Sequence, residues 1–130
     1  MKLFRSITIP ALALATAGAL FTASPASAKG GDDARMSGKC SAGSTWKMKA
    51  KPDDGRIEVE LEIDSNRVGQ PWSTAISDNG VRIFTGSRRT TAPSGSFEIE
   101  LRTADRAGAD QFRATARTAS GEVCRANVRL

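Results

Sequence analysis

The sequence predicts an all-β protein, two antiparallel sheets packed face to face as a β-sandwich of about seven strands. Three observations predict it. Apolar and polar residues alternate with a period of two in several short runs, such as Trp46, Met48 and Ala50 between Lys47, Lys49 and Lys51. Turn-forming clusters of Asp, Asn, Gly and Pro separate those runs at hairpin-like intervals. After the N-terminal region no segment carries apolar residues at helical spacing, and no repeat of fixed length recurs, which argues against a solenoid or an α/β fold.

The chain has 130 residues, and its first 28 have the layout of a cleavable secretory signal. Lys2 and Arg5 precede an apolar run from Ile7 to Phe21, and Ala26-Ser27-Ala28 supplies a small-residue cleavage site before Lys29. The run of about 15 residues is shorter than the roughly 20 needed to span a bilayer. The expected product is secreted to the extracellular space, with no membrane span, as a monomer. It is sized for one small domain. Of 19 basic and 14 acidic residues, only Lys2 and Arg5 leave with the signal, so the mature formal charge is +3. Residues 29–39 are polar, glycine-rich and without periodicity, which predicts a flexible leader; the folded domain is expected over 40–130. Export makes the two cysteines informative, because an oxidising compartment favours disulfides and two cysteines in one chain allow one intramolecular pairing. Cys40 is expected to bond Cys124, closing a loop worth about 4 kcal/mol by chain entropy.

The elements follow in order. Trp46, Met48 and Ala50 mark the first strand, and Ile57, Val59, Leu61 and Ile63, alternating with Glu58, Glu60, Glu62 and Asp64, mark the second. Pro52-Asp53-Asp54-Gly55 reads as the turn between them, Pro pre-setting one dihedral and Gly free to take positive φ. A four-residue turn there sets Trp46 opposite Leu61, Met48 opposite Val59, Lys47 opposite Glu60 and Lys49 opposite Glu58. Trp72, Thr74 and Ile76 lead into Asp78-Asn79-Gly80, a strong hairpin signal, and return through Val81, Ile83 and Thr85. Ser87 to Ser96 reads as a loop or short edge strand. Phe97, Ile99 and Leu101 form the next strand, and a connector from Thr103 to Asp110 follows. The last two strands carry Phe112, Ala114 and Ala116, then Cys124, Ala126, Val128 and Leu130, joined through Ala119-Ser120-Gly121.

The stretch from Leu101 to Ala116, Leu-Arg-Thr-Ala-Asp-Arg-Ala-Gly-Ala-Asp-Gln-Phe-Arg-Ala-Thr-Ala, followed by a Gly-containing turn and a final strand, resembles the end of bacterial immunoglobulin-like and fibronectin type III-like domains. The mature chain as a whole resembles small exported proteins of actinobacterial type with no assigned activity. The resemblance implies an immunoglobulin-like sandwich and no particular function, since this fold hosts many. The chain departs from antibody domains in its cysteine positions, on the first and last strands, and in Phe112, which stands where the corner Tyr would be.

Inventory removes whole classes of chemistry. With no His and no Tyr there is no Ser-His-Asp triad, no His metal site and no phenol nucleophile, and no nucleophile elbow or phosphate loop is present. Neither a catalytic residue nor a cofactor is expected, and no metal site. The glutamates at 58, 60, 62, 98 and 100 lie on outward strand positions, with Lys47 and Lys49 opposite two of them, so a solvated paired face is the expectation over an acid–base pair. Asp53-Asp54-Gly55 and Asp78-Asn79-Gly80 read as turns rather than calcium loops. Trp46 and Trp72 are expected in the core. The candidate site is a basic sheet face formed by Arg113, Arg117, Arg125 and Arg129, with Arg82 and Phe84 on the same side, and the opposite sheet is expected to be acidic. An arginine-rich face suits an anionic polymer such as teichoic acid, sulfated glycan or nucleic acid. The leading expectation is a secreted non-catalytic binding module for such a polymer or for an extracellular protein. An inhibitor of an extracellular protease, offering Ser87 to Ser96 as bait, is the alternative.

Overall fold

The computed structural model describes residues 33–130. The predicted signal, residues 1–28, lies outside the described residues, as does the start of the predicted leader. Eight strands follow in order: β1 Ala34–Lys39, β2 Thr45–Asp53, β3 Arg56–Asp64, β4 Pro71–Asp78, β5 Val81–Arg89, β6 Ser96–Ala104, β7 Gln111–Thr118 and β8 Val123–Arg129. They form two four-stranded sheets, ordered β1-β2-β3-β6 and β5-β4-β7-β8, with every pairing antiparallel. This is the two-sheet sandwich that the alternation predicts, with a topology consistent with immunoglobulin-like and fibronectin type III-like domains. The strand count is eight rather than seven. The extra strand is β1, drawn from the segment read as a flexible leader. Its sequence lacks apolar alternation because β1 is an edge strand whose backbone, rather than its side chains, holds it to β2. Gly38 is fitted to that place: a methyl group there would lie 2.7 Å from the Trp46 indole.

The β2–β3 register differs from the sequence reading. Asp54 and Gly55 both take positive φ, 51° and 78°, making a two-residue hairpin turn with Asp53 opposite Arg56. Pro52 therefore stays in β2, opposite Ile57. Trp46 faces Ile63 instead of Leu61, Met48 faces Leu61, and Lys47, Lys49 and Lys51 face Glu62, Glu60 and Glu58. A slip of two residues keeps every side chain on its own face, so the alternation that located the strands cannot detect it.

The core lies between the sheets, and its two walls are unequal. The β3 sheet contributes Trp46, Met48, Ile57, Val59, Leu61, Ile63, Phe97 and Ile99, all buried. The β7 sheet meets them with Ala114, Ala116 and Ala126 between larger groups, Trp72, Ile76, Phe112 and Val128. Both tryptophans are buried, as expected. Trp72 lies 6.3 Å from the Phe97 ring, and its indole N–H donates to Gln70 Oε1 at 3.1 Å.

The disulfide joins Cys40, just after β1, to Cys124 in β8, tying the edge of one sheet to the edge of the other. Ser41 and Val123 exchange two hydrogen bonds beside it, both 2.9 Å. The Glu122 carboxylate accepts from the backbone N–H groups of Ala42 and Ser44 and from the Ser44 hydroxyl, at 2.8–3.1 Å. At the opposite end of the sandwich Asp78 is fully buried, with Arg106 Nε 3.4 Å from its carboxylate, and Asp110 accepts from the Arg106 backbone N–H. The connector between β6 and β7 thus folds back over the end of β4. Asp78 therefore points into the protein while Asn79 and Gly80 make the turn.

Candidate anion-binding face

The β7–β8 register sets the arginines in consecutive rows. Arg129 lies opposite Gln111, Arg113 opposite Asn127, Arg125 opposite Thr115 and Arg117 opposite Val123. Because Phe112, Ala114, Ala116, Cys124, Ala126 and Val128 take the inward positions, all four arginines face solvent, and all four are exposed. On the other side of β7 the neighbours are small: Ser77, Ala75 and Ser73 of β4 lie opposite Arg113, Thr115 and Arg117. Arg82 of β5 also pairs with Ser77, so one row runs Arg82, Ser77, Arg113, Asn127 across the sheet. Arg89, opposite Pro71, shares the outward parity and donates from its guanidinium to the Gly69 carbonyl at 2.7 Å. The sequence does not assign Arg89 to this face, because Ser87 to Ser96 reads as a loop or short edge strand with no parity to place it.

No Asp or Glu occupies an outward strand position of this sheet. Among the described residues none of Arg82, Arg113, Arg117, Arg125 and Arg129 is in an ion pair. A shallow depression of about 470 Å³ lies between Arg113 and Arg125, lined also by Gln111, Thr115 and Asn127.

Phe84 does not join this face. A β-bulge at Ile76/Ser77 leaves Ile83 as an extra residue, so Ser77 pairs with Arg82 but Ile76 pairs with Phe84. One extra residue inverts the parity beyond it. Phe84 turns toward the core, half-buried, and the Arg88 guanidinium sits 5.1 Å above its ring. Gly86, between them on the strand, leaves room for that stacking: a methyl there would come within 3.1 Å of the Phe84 ring.

The outward face of the β3 sheet is mixed, not acidic as expected. Lys49 pairs with Glu60 at 3.6 Å and with Asp33 at 3.7 Å, Lys51 pairs with Glu58 at 3.4 Å, and Arg102 pairs with Asp53. The glutamates do crowd on the β3–β6 side, where carboxylate oxygens of Glu58, Glu60 and Glu100 lie within 4.8 Å of one another. A hydrogen bond with Glu58, reinforced by the Glu58 charge, raises the Glu100 carboxyl above its ordinary range. The same bond lowers Glu58, helped by Lys51. A depression of about 530 Å³ exists on this face, but Glu60, Glu62 and Glu98 line it together with Lys47, Lys49 and Arg35; Glu58 and Glu100 do not.

Ser87 to Ser96 is not an open loop. Ser87 to Arg89 complete β5, Thr90 is buried, and Thr91 bridges to Ser96. Gly95 is pressed on the Arg67 backbone, where a methyl would lie at 2.3 Å. The exposed remainder is a four-residue bend, Thr91 to Ser94, short for a segment that must extend through a protease cleft.

The chain matches no protein-family model, no curated protein and no solved structure.

Proposed function

We propose that this chain is a secreted, non-catalytic binding module whose β7 sheet holds an anionic polymer of the cell envelope or its surroundings. One observation carries the reading: exposed arginines cover that sheet with no acidic residue beside them, while the cations of the other sheet sit against glutamates. Unpaired guanidiniums in rows attract counterions, and a polyanion that displaces those counterions gains free energy from their release. The signal-like N-terminus and the disulfide fit an exported protein, and no helix of the described residues is long and apolar enough to cross a membrane. The absence of His and Tyr favours binding over turnover.

Titration of the purified protein with heparin and with wall teichoic acid, at low and physiological salt, tests the reading. Affinity should fall steeply with salt, and changing Arg117 and Arg125 to Ser should reduce the log–log slope by roughly 0.7 per arginine. Changing Lys47 and Lys49 to Ser should leave it unaltered. Equal retention of the wild type and the arginine variant, or no retention at low salt, would return this face to a purely solubilising role.

A further inference from the structure

The positions of the arginines say more than their number. Along β7 and β8 the rows at Gln111, Arg113, Thr115 and Arg117 carry one arginine each, in the order Arg129, Arg113, Arg125, Arg117, alternating between the two strands. Successive rows are two residues apart, which is about 6.8 Å of extended backbone, and the two strands are about 4.8 Å apart. The four charges therefore make a narrow zigzag about 20 Å long, parallel to the strands. Across the sheet the pattern breaks, because β4 contributes only Ser73, Ala75 and Ser77 between Arg82 and the β7 arginines.

Two residues of a strand span six backbone bonds. A glycerol phosphate chain also has six bonds from one phosphorus to the next: P–O, O–C, two C–C, C–O and O–P. Both are extended chains of similar bond lengths, so the charge repeat of such a polymer matches the row repeat of a β-strand. We propose that the ligand of the β7 sheet is a linear polyol phosphate with three-carbon spacers, lying along β7 and β8 with one phosphate on each of Arg129, Arg113, Arg125 and Arg117. This rests on the anion-binding reading above and deepens it.

Two further features favour this chemistry. The depression between Arg113 and Arg125 is lined by Gln111, Thr115 and Asn127, the cross-strand partners of Arg129, Arg125 and Arg113, so three of the four rows set a neutral donor or acceptor beside the arginine. A three-carbon polyol unit carries a free hydroxyl close to its phosphates, within reach of those groups. Single-stranded nucleic acid has the same six-bond repeat, but its binding draws on aromatic platforms for the bases. This face has none, with Phe84 turned inward and both tryptophans buried.

The experiment compares glycerol phosphate oligomers of two, four and eight phosphates with oligothymidylate and heparin fragments of equal charge, at one ionic strength, on the purified protein. Affinity should climb steeply to four phosphates and then rise only with the number of equivalent registers. The four-phosphate oligomer should show a log–log salt slope of about −3, and Arg113→Ser or Arg125→Ser should each take about 0.7 from it. Arg82→Ser, separated from the track by Ser77, should take less from the slope than either. Circular dichroism of each variant keeps a folding defect distinct from a binding one. Equal or tighter binding of heparin or oligothymidylate, or an Arg82→Ser loss as large as that of Arg113→Ser, would overturn the proposed ligand and its track while leaving the face an anion binder. Failure of every polyanion to bind at low salt would remove the anion-binding reading itself.

Discussion

On the β3 sheet, outward Lys47, Lys49 and Lys51 stand opposite Glu62, Glu60 and Glu58. On the β7 sheet, outward Arg113, Thr115 and Arg117 stand opposite Asn127, Arg125 and Val123 on one side and Ser77, Ala75 and Ser73 on the other. The inner faces differ as well: large aliphatic and aromatic residues line the first, while the second sets Ala114, Ala116 and Ala126 among Trp72, Ile76, Phe112 and Val128. One sheet is mostly bulky within and neutralises its own surface; the other mixes small and large residues within and leaves its charges uncompensated. Cross-strand ion pairs in water contribute little, so the lysine and glutamate rows serve solubility and pairing more than stability. The arginines of the β7 sheet, with no acidic cross-strand partner, repel one another instead.

The comparison can be broken at the core, at the seam between the sheets, and at the surface. The largest effect is expected at the core. Leu61→Ala removes a fully buried side chain from the bulky wall, and denaturant melts should show a loss of about 2–5 kcal/mol. A loss below about 1 kcal/mol would mean that the β3 wall is not tightly packed.

The seam should give a smaller and pH-dependent effect. Burial pushes the Glu122 carboxyl up, but hydrogen bonds from the Ser44 backbone and hydroxyl and from the Ala42 N–H, with the nearby charge of Arg67, outweigh it and hold the group below its ordinary range. A carboxylate whose pKa is depressed on folding stabilises the fold above its unfolded pKa, about 4.3, and that contribution fades as pH falls through the lower folded value. Glu122→Gln should therefore cost about 1–3 kcal/mol at neutral pH, the scale of charge-assisted hydrogen bonds. The gap to wild type should close in melts run at progressively lower pH beneath about 4. A gap that stays constant with pH would show that the carboxylate charge contributes nothing to holding the β1–β2 connection to β8.

The surface should give the least. Lys49→Ala removes two partly exposed ion pairs, with Glu60 and Asp33, and should shift stability by no more than about 1 kcal/mol in the same melts. A larger loss would mean that the β3 face is a structural network rather than a solvated one.

Alternation in the sequence determined which residues face inward and which outward along β2, β3, β4, β6, β7 and β8, because a period of two is a local property of an extended chain with one buried side. It likewise determined the outward arginines of β7 and β8 and, from a count of two, the Cys40–Cys124 pairing. Three matters were decided only by the tertiary structure. The β2–β3 register moved by two residues because Asp54-Gly55 forms a shorter turn than Pro52 to Gly55 suggested, and a two-residue slip is silent in the alternation. β1 formed from a segment without apolar periodicity because its strand character comes from hydrogen bonds to the neighbouring β2, which leave no mark in the β1 side chains. Phe84 left the arginine face because the bulge at Ile76/Ser77 inserts one residue into β5, and nothing in Val81 to Thr85 marks where an edge strand must bend to follow its neighbour. Parity is written in each strand by itself; register, edge pairing and bulges belong to pairs of strands, and they exist only once the sheets have assembled.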